Sequence, residues 1–213
     1  MAKKKIEALV IKVPALKIHT IDMTIVGTSE PGDSPRLVTH NWDKKAQGEL
    51  ENARVFGDKG DPKVKKLREP EREFLACLYP MNGKLVTNPK KIPPCGFPTR
   101  GIKAAAVRAA TDCGNNMTDV RRAFHIDGVL AVIKSKKPKM RKDMVRLGGQ
   151  SRPIDIRWRA EFLDWSIKFK VRFNANVISA ERIVSLFNTA GFGVGIGEDR
   201  GEKGGQWGMF KVV

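Results

Sequence analysis

The chain has 213 residues, of which 41% are hydrophobic and 30% charged; 40 Lys and Arg against 23 Asp and Glu leave a net charge of +17. No apolar run is long enough to span a bilayer, and the basic start lacks the apolar stretch and cleavage site of a signal peptide, so a cytoplasmic protein is expected. Cys77, Cys95 and Cys113 form no CxxC pair, which argues against a disulfide framework or zinc site, while the charge implies a polyanionic partner, commonly nucleic acid.

In chain order, residues 16–27 alternate Ile21, Met23 and Ile25 with Thr20, Asp22 and Thr24, a strand that ends at Gly27. From 28 to 95 the pattern loosens: a turn-rich SEPGDSP, a short polar helix over 42–56, then a charged stretch broken by Gly and Pro. This reads as a long, partly flexible insertion, 28–95, into a core made of 1–27 and 96–213. Residues 98–113 predict an alanine-rich helix stopped by Gly114, and 124–133 a strand. The run 134–146 carries Lys134, Lys136, Lys137, Lys139, Arg141, Lys142 and Arg146 against one acid, Asp143, and reads as a phosphate-clamping loop.

Residues 154–173 alternate most regularly. Ile156, Trp158, Ala160 and Phe162 interleave with Arg157 and Arg159; Ile167, Phe169, Val171 and Phe173 interleave with Lys168, Lys170 and Arg172. A hairpin with one apolar and one basic face is predicted. Ser179 caps a helix with Ile183, Leu186 and Phe187 at helical spacing, Gly191 follows, and WGMFKVV closes the chain as a strand. Two strand–helix–strand halves of this kind predict an α+β, ferredoxin-like (RRM-like) antiparallel sheet with helices on one face.

The segment 191–210, GFGVGIGEDRGEKGGQWGMF, lies after a helix and before a strand. That order and spacing fit neither a P-loop nor a dinucleotide fingerprint, and no cofactor is expected. The glycines instead suggest a loop whose backbone N–H groups approach phosphates, with Arg200, Lys203 and Trp207 as grips. Trp42, Trp165 and Trp207 are candidate base-stacking rings, and Trp158 is expected in the core.

Two stretches resemble the RAMP superfamily, the backbone subunits of CRISPR effector complexes. In PPCGFPTRGIKAAAVRAA, Pro98, Thr99, Gly101, Lys103 and Arg108 match the family's IPGSSLKGALR-like helix start, with Arg108 one residue late. In GIGEDRGEKGGQWGMFKV, Gly195, Gly197, Arg200, Gly205 and Gly208 follow its GxGxxRxxGxGxV/F loop, the later glycines more loosely. The resemblance implies subunits packed side by side along a single strand of RNA or DNA, held in a basic groove and divided into steps by an inserted thumb. It also implies effector-complex subunits as further partners, and a phage-encoded member fits the short length. Arg100, Lys103 and Arg108 would then grip phosphates at the helix start.

Catalytic signals are few. His19, His40 and His125 form no triad or metal spacing; Asp33, His40 and Asp43 occupy the region where some RAMP proteins place a nuclease residue. The expectation is a non-enzymatic single-strand-binding protein that oligomerises along its ligand. A metal-independent endoribonuclease, a phage single-strand DNA-binding or annealing protein and a virion structural protein are the alternatives.

Overall fold

The computed structural model describes residues 15–41, 69–146 and 154–213. The strands are β1 (Ile18–Gly27), β2 (Arg36–Thr39), β3 (Gly96–Pro98), β4 (Phe124–Ile126), β5 (Leu130–Lys134), β6 (Lys139–Arg146), β7 (Ile154–Leu163), β8 (Ser166–Asn174) and β9 (Phe210–Val212). The helices are α1 (Pro70–Ala76), α2 (Thr99–Arg108), α3 (Met117–Ala123) and α4 (Ala180–Gly193), with a 3-10 turn at Gly201–Lys203.

β8 organises the main sheet because its side chains alternate without a break: Ile167, Phe169, Val171 and Phe173 are buried, while Lys168, Lys170 and Arg172 are exposed. β1 pairs antiparallel along its length, from Ile18 opposite Asn174 to Val26 opposite Ser166. β9 adds to the far side of β1, β4 and β5 pair with the other side of β8, and β3 pairs with β5. The order β3-β5-β8-β1-β9, all antiparallel, with α2 leading from β1 to β4/β5 and α4 from β8 to β9, is the ferredoxin-like split β-α-β arrangement.

Both crossover helices bury one stripe. Ile102, Ala105, Ala106 and Val107 of α2 and Ile183, Leu186, Phe187 and Ala190 of α4 are buried in the common core, where the two helices pack on each other. Phe187 lies edge-on to Phe124 and tilted against Phe169, at 5.9 and 5.5 Å between ring centres.

Several elements differ from the sequence expectation. The strand expected over 124–133 is split, because the chain takes seven steps from Ile126 to Ile133 where β8 takes four. The surplus bulges at Asp127–Val129, with Gly128 at φ +78°, and docks on α2: the Thr99 hydroxyl donates to Gly128 O (2.6 Å) and the Thr99 N–H to Val129 O (3.0 Å). α3 was not anticipated, although Asn116 caps it by accepting the Thr118 N–H (2.7 Å). Nor is 134–146 a loop, since 139–146 forms a strand.

The predicted 154–173 hairpin does not form. Asp164, at φ +51°, turns the chain, but β7 and β8 enter different sheets. β7 lies between β2 and β6 in a second antiparallel sheet, Arg36 opposite Leu163 on one side and Arg141 opposite Arg159 on the other. A two-residue connection suggested pairing, whereas β7 takes β2 and β6 as its neighbours and β8 takes β1, β4 and β5. α1 packs on this smaller sheet, where the Cys77 thiol donates to Trp158 O (3.4 Å) and the Thr39 hydroxyl to Cys77 O (3.0 Å).

Where it is described, the chain from 28 to 95 contributes Leu37, Phe74, Leu75, Leu78, Val86 and Cys95 to the common core. The polar helix expected over 42–56 lies outside the described residues. The cysteines are free thiols, and burial pushes Cys77 and Cys95 up to about 11, which keeps them protonated near neutral pH. Among the described residues no helix is long and apolar enough to cross a membrane, and no group of His, Cys, Asp and Glu is placed to hold a metal ion.

Candidate nucleic-acid interface

Among the described residues, the face of the main sheet opposite the helices is left open. Down its centre run Lys168, Lys170 and Arg172, set alternately along β8 and hence about 6.7 Å apart. Register places Thr24 beside Lys168, Asp22 beside Lys170, and Thr20 and His125 on either side of Arg172. Lys134 ends β5 opposite Ser166, and Lys211 on β9 lies opposite Val26. Arg172 donates to Asp127 (2.6 Å), but Lys168 and Lys170 have no ion pair among the described residues. No Phe, Tyr or Trp stands at these positions, so the face offers charge rather than an aromatic stacking platform.

Lys103 extends this patch past the β4 edge. Its ammonium lies 3.4 Å from His125 Nδ1 and 5.3 Å from the Phe124 ring centre. Burial and then Arg121 lower the Lys103 pKa; Lys103 first, then burial and Arg172, lower that of His125. A concentration of like charge, with Asp127 and Asp22 the acids beside it, suits an anionic ligand. Arg100, exposed in the first turn of α2, also has no ion pair among the described residues.

The second basic row differs. Arg157 and Arg159 do not share a face with Lys168, Lys170 and Arg172, because their strands lie in separate sheets. Instead they join a network of opposite charges. Arg141 donates to Asp143 (2.6 Å) and to Glu161 (3.0 Å), and Arg36 reaches Glu161 at 3.8 Å. Arg159 lies 3.7 Å from Asp143 and 3.5 Å from Glu198, and Arg157 lies 2.9 Å from Asp155. Four arginines against four carboxylates make this face nearly neutral. Asp143 Oδ2 and Arg159 Nε lack hydrogen-bond partners among the described residues, which offsets part of what the ion pairs contribute to stability. The remaining cations of this arm are uneven: Lys136 pairs with Asp164 (3.3 Å) and Lys137 donates to Lys90 O (3.4 Å), while Lys139, Lys142 and Arg146 are exposed without ion pairs among the described residues.

The glycine loop also turns inward. Its N–H groups at Ile196, Glu198 and Gly208 donate to Gly208 O, Val38 O and Arg36 O, stitching the loop to β2. Gly195 N–H closes the end of α4 on Ala190 O (2.8 Å). At Gly197 (φ +83°) an added Cβ would stand 2.5 Å from Val38 O, and at Gly208 (φ +67°) 1.7 Å from Ile196 O. The glycines therefore allow protein backbone to lie against protein backbone, and these N–H groups do not face a phosphate, contrary to the sequence expectation.

Arg108 and Arg200 converge on Glu202; Arg200 Nη2 lies 2.9 Å from its carboxylate, and Arg200 Nη1 donates to Gly197 O (3.1 Å). Burial works to raise the Glu202 carboxyl, but the two arginines outweigh it and hold it below the usual range. This bridge locks α2 to the loop. Lys203 is exposed and carries no ion pair among the described residues. Trp207 is partly exposed, with the Arg141 guanidinium 3.9 Å over its ring. Trp165, expected at the surface, is 1% exposed and belongs to the core; Trp42 lies outside the described residues.

The candidate catalytic residues do not converge. His40 lines a cleft between α2 and the glycine loop with Tyr79 and Glu198, 4.0 Å from the latter, whereas Asp33 lines a separate cavity near Trp207. Burial and Arg159 lower the His40 pKa against the opposing pull of Glu198. Asp43 lies outside the described residues.

No protein-family model matches the chain, and no curated protein does. Among solved structures it is similar to the crystal structure of Cmr6 from Pyrococcus furiosus, with a TM-score of 0.44, 11% identity, and coverage of 93% of this chain and 100% of that one. At that distance no residue role passes from one to the other.

Proposed function

We propose that this protein binds single-stranded nucleic acid, RNA or DNA, across the open face of its main sheet, without cleaving it. The observation that carries the reading is the row Lys168 and Lys170, unpaired among the described residues, on a face extended by Lys134 and Lys211 and continued at the β4 edge by Lys103, His125 and Arg172. Cations without carboxylate partners are the ones that release counterions from a polyanion. Arg100, Lys139, Lys142, Arg146 and Lys203 widen the field, while Arg108, Arg141, Arg157, Arg159 and Arg200 shape the scaffold beneath it.

In this reading copies of the chain line up along one strand, and the inserted chain, 28–95, separates their steps, as the resemblance to CRISPR backbone subunits implies. Other effector-complex subunits are the partners that resemblance adds. The mixture of protein with a long labelled RNA, viewed by electron microscopy and resolved on a denaturing gel, tests both parts. Filaments of regular width with intact RNA are expected; isolated monomers refute the assembly, and cleavage products refute the non-enzymatic reading.

A further inference from the structure

A cavity of about 560 Å³ opens at the edge of the main sheet beyond β9, between the loop after β1, the end of α4 and Trp207. It lies within the size range of small-ligand sites. Its wall combines Phe192, 79% exposed, with the partly exposed Trp207 indole, and its polar groups include Asn188, Gln206, Arg36 and Lys211, with Glu30 and Asp33 on the loop side.

Several of these groups are oriented by the fold or keep charge to spare. Arg141 lies over the Trp207 ring at 3.9 Å and is itself fixed by Asp143 and Glu161, so the indole is pre-positioned. Asn188 Oδ1 accepts the Val212 N–H (2.9 Å), which orients the carboxamide and leaves its NH2 group to donate. Arg36 has only a long contact to Glu161, and Lys211 has no ion pair among the described residues. Lys211 lines the cavity and, through its register with Val26, also belongs to the open sheet face, so one residue is common to both.

We propose that this cavity takes one unstacked nucleobase from the strand that crosses the open face. Phe192 and Trp207 supply ring contacts, Asn188 and Gln206 meet the base edge, and Lys211 holds the adjoining phosphate. The inference rests on the proposed nucleic-acid binding. Aromatic contact with a base is sequence-tolerant and contributes usefully even from one ring, which suits a site with few specific polar groups.

The test uses the full chain and two single strands of equal length and backbone, one carrying bases and one abasic throughout. The base-bearing strand is expected to bind about fivefold or more tightly, the low end for one stacked base. Phe192→Ala, at an exposed position, is expected to abolish that preference and leave the abasic affinity unchanged. Equal binding of the two strands by the unmodified chain overturns the cavity assignment while leaving the proposed function standing, and so does a preference that survives Phe192→Ala. Failure of both strands to bind overturns the proposed function and the cavity assignment with it.

Discussion

Two rows of basic residues that look alike in the sequence do opposite things in the structure. On β7, Arg157 lies opposite Asp143 and pairs with Asp155 two residues back on its own strand, while Arg159, opposite Arg141, reaches Asp143 and, on the glycine loop, Glu198. On β8, Lys168 and Lys170 face Thr24 and Asp22 and keep their charge open to solvent. Alternation tells which side of a strand is polar, but whether that charge is neutralised depends on which carboxylates come within ion-pair reach. Asp143, Asp155 and Glu198 do for the arginines, whereas Asp22, opposite Lys170, does not. The residue type follows the role: arginine's planar fork suits fixed carboxylate pairs, and lysine's mobile ammonium suits a ligand without fixed geometry.

The sharpest way to break this contrast is Arg159→Ala. Its side chain is 13% exposed, and its removal leaves Asp143 with Arg141 and Glu198 with only the long His40 contact, so a loss of about 1–3 kcal/mol is expected in urea unfolding. Oligonucleotide affinity of the folded fraction should change little. A stability loss below about 1 kcal/mol, within the range of ordinary surface pairs, would show that the network is not structural.

Charge reversal on the other row inverts the pattern. Lys168→Glu with Lys170→Glu is expected to weaken binding of a single-stranded oligonucleotide about a hundredfold at low salt, read by fluorescence anisotropy. Unfolding stability should stay within about 0.5 kcal/mol, because both positions are exposed. Unchanged affinity would move the interface away from this face.

The smallest effect concerns His125. Lys103, burial and Arg172 hold its pKa below the usual 6.5 in the free protein. A polyanion laid over the patch favours the imidazolium, so binding takes up a proton and strengthens as pH falls from about 7.5 to about 5.5, by less than about tenfold. His125→Gln should flatten that dependence. The depressed pKa also makes the unfolded chain the better proton binder, so stability contributed by His125 declines as pH falls through about 6.5 toward the folded value. Affinity that is independent of pH in the unmodified chain would place the ligand elsewhere.

Much of the fold was legible. The period-2 runs of β1 and β8, the alanine-rich α2 and the Ser179-capped α4 carry their structure locally, and the ferredoxin-like order follows from them. The partition of β7 and β8 into two sheets was not, because alternation over 154–173 is the same whether the strands pair with each other or elsewhere. β2 is only four residues long, and its burial depends on contacts with β7, distant in sequence. In the site, alternation marks Lys168 and Lys170 as outward-facing, and both side chains are exposed on β8. It could not distinguish them from Arg141, Arg157 and Arg159, whose partners include Glu161 across the β6–β7 pair and Glu198 on the distant glycine loop, besides Asp143 and Asp155 within two residues on the same strands. The glycine segment misled for a similar reason: close backbone approach was the right inference, but the approaching chain is the protein's own β2.

The salt dependence of single-strand binding tests the central claim most directly. For the unmodified chain, Lys168→Ala with Lys170→Ala, and Arg157→Ala, log affinity would be followed from about 0.05 to about 0.2 M salt. The account predicts a steep negative slope for the unmodified chain, shallower by about two in the lysine variant and unchanged in the arginine variant. A flat slope in the unmodified chain, or a reduction in the arginine variant alone, would contradict it.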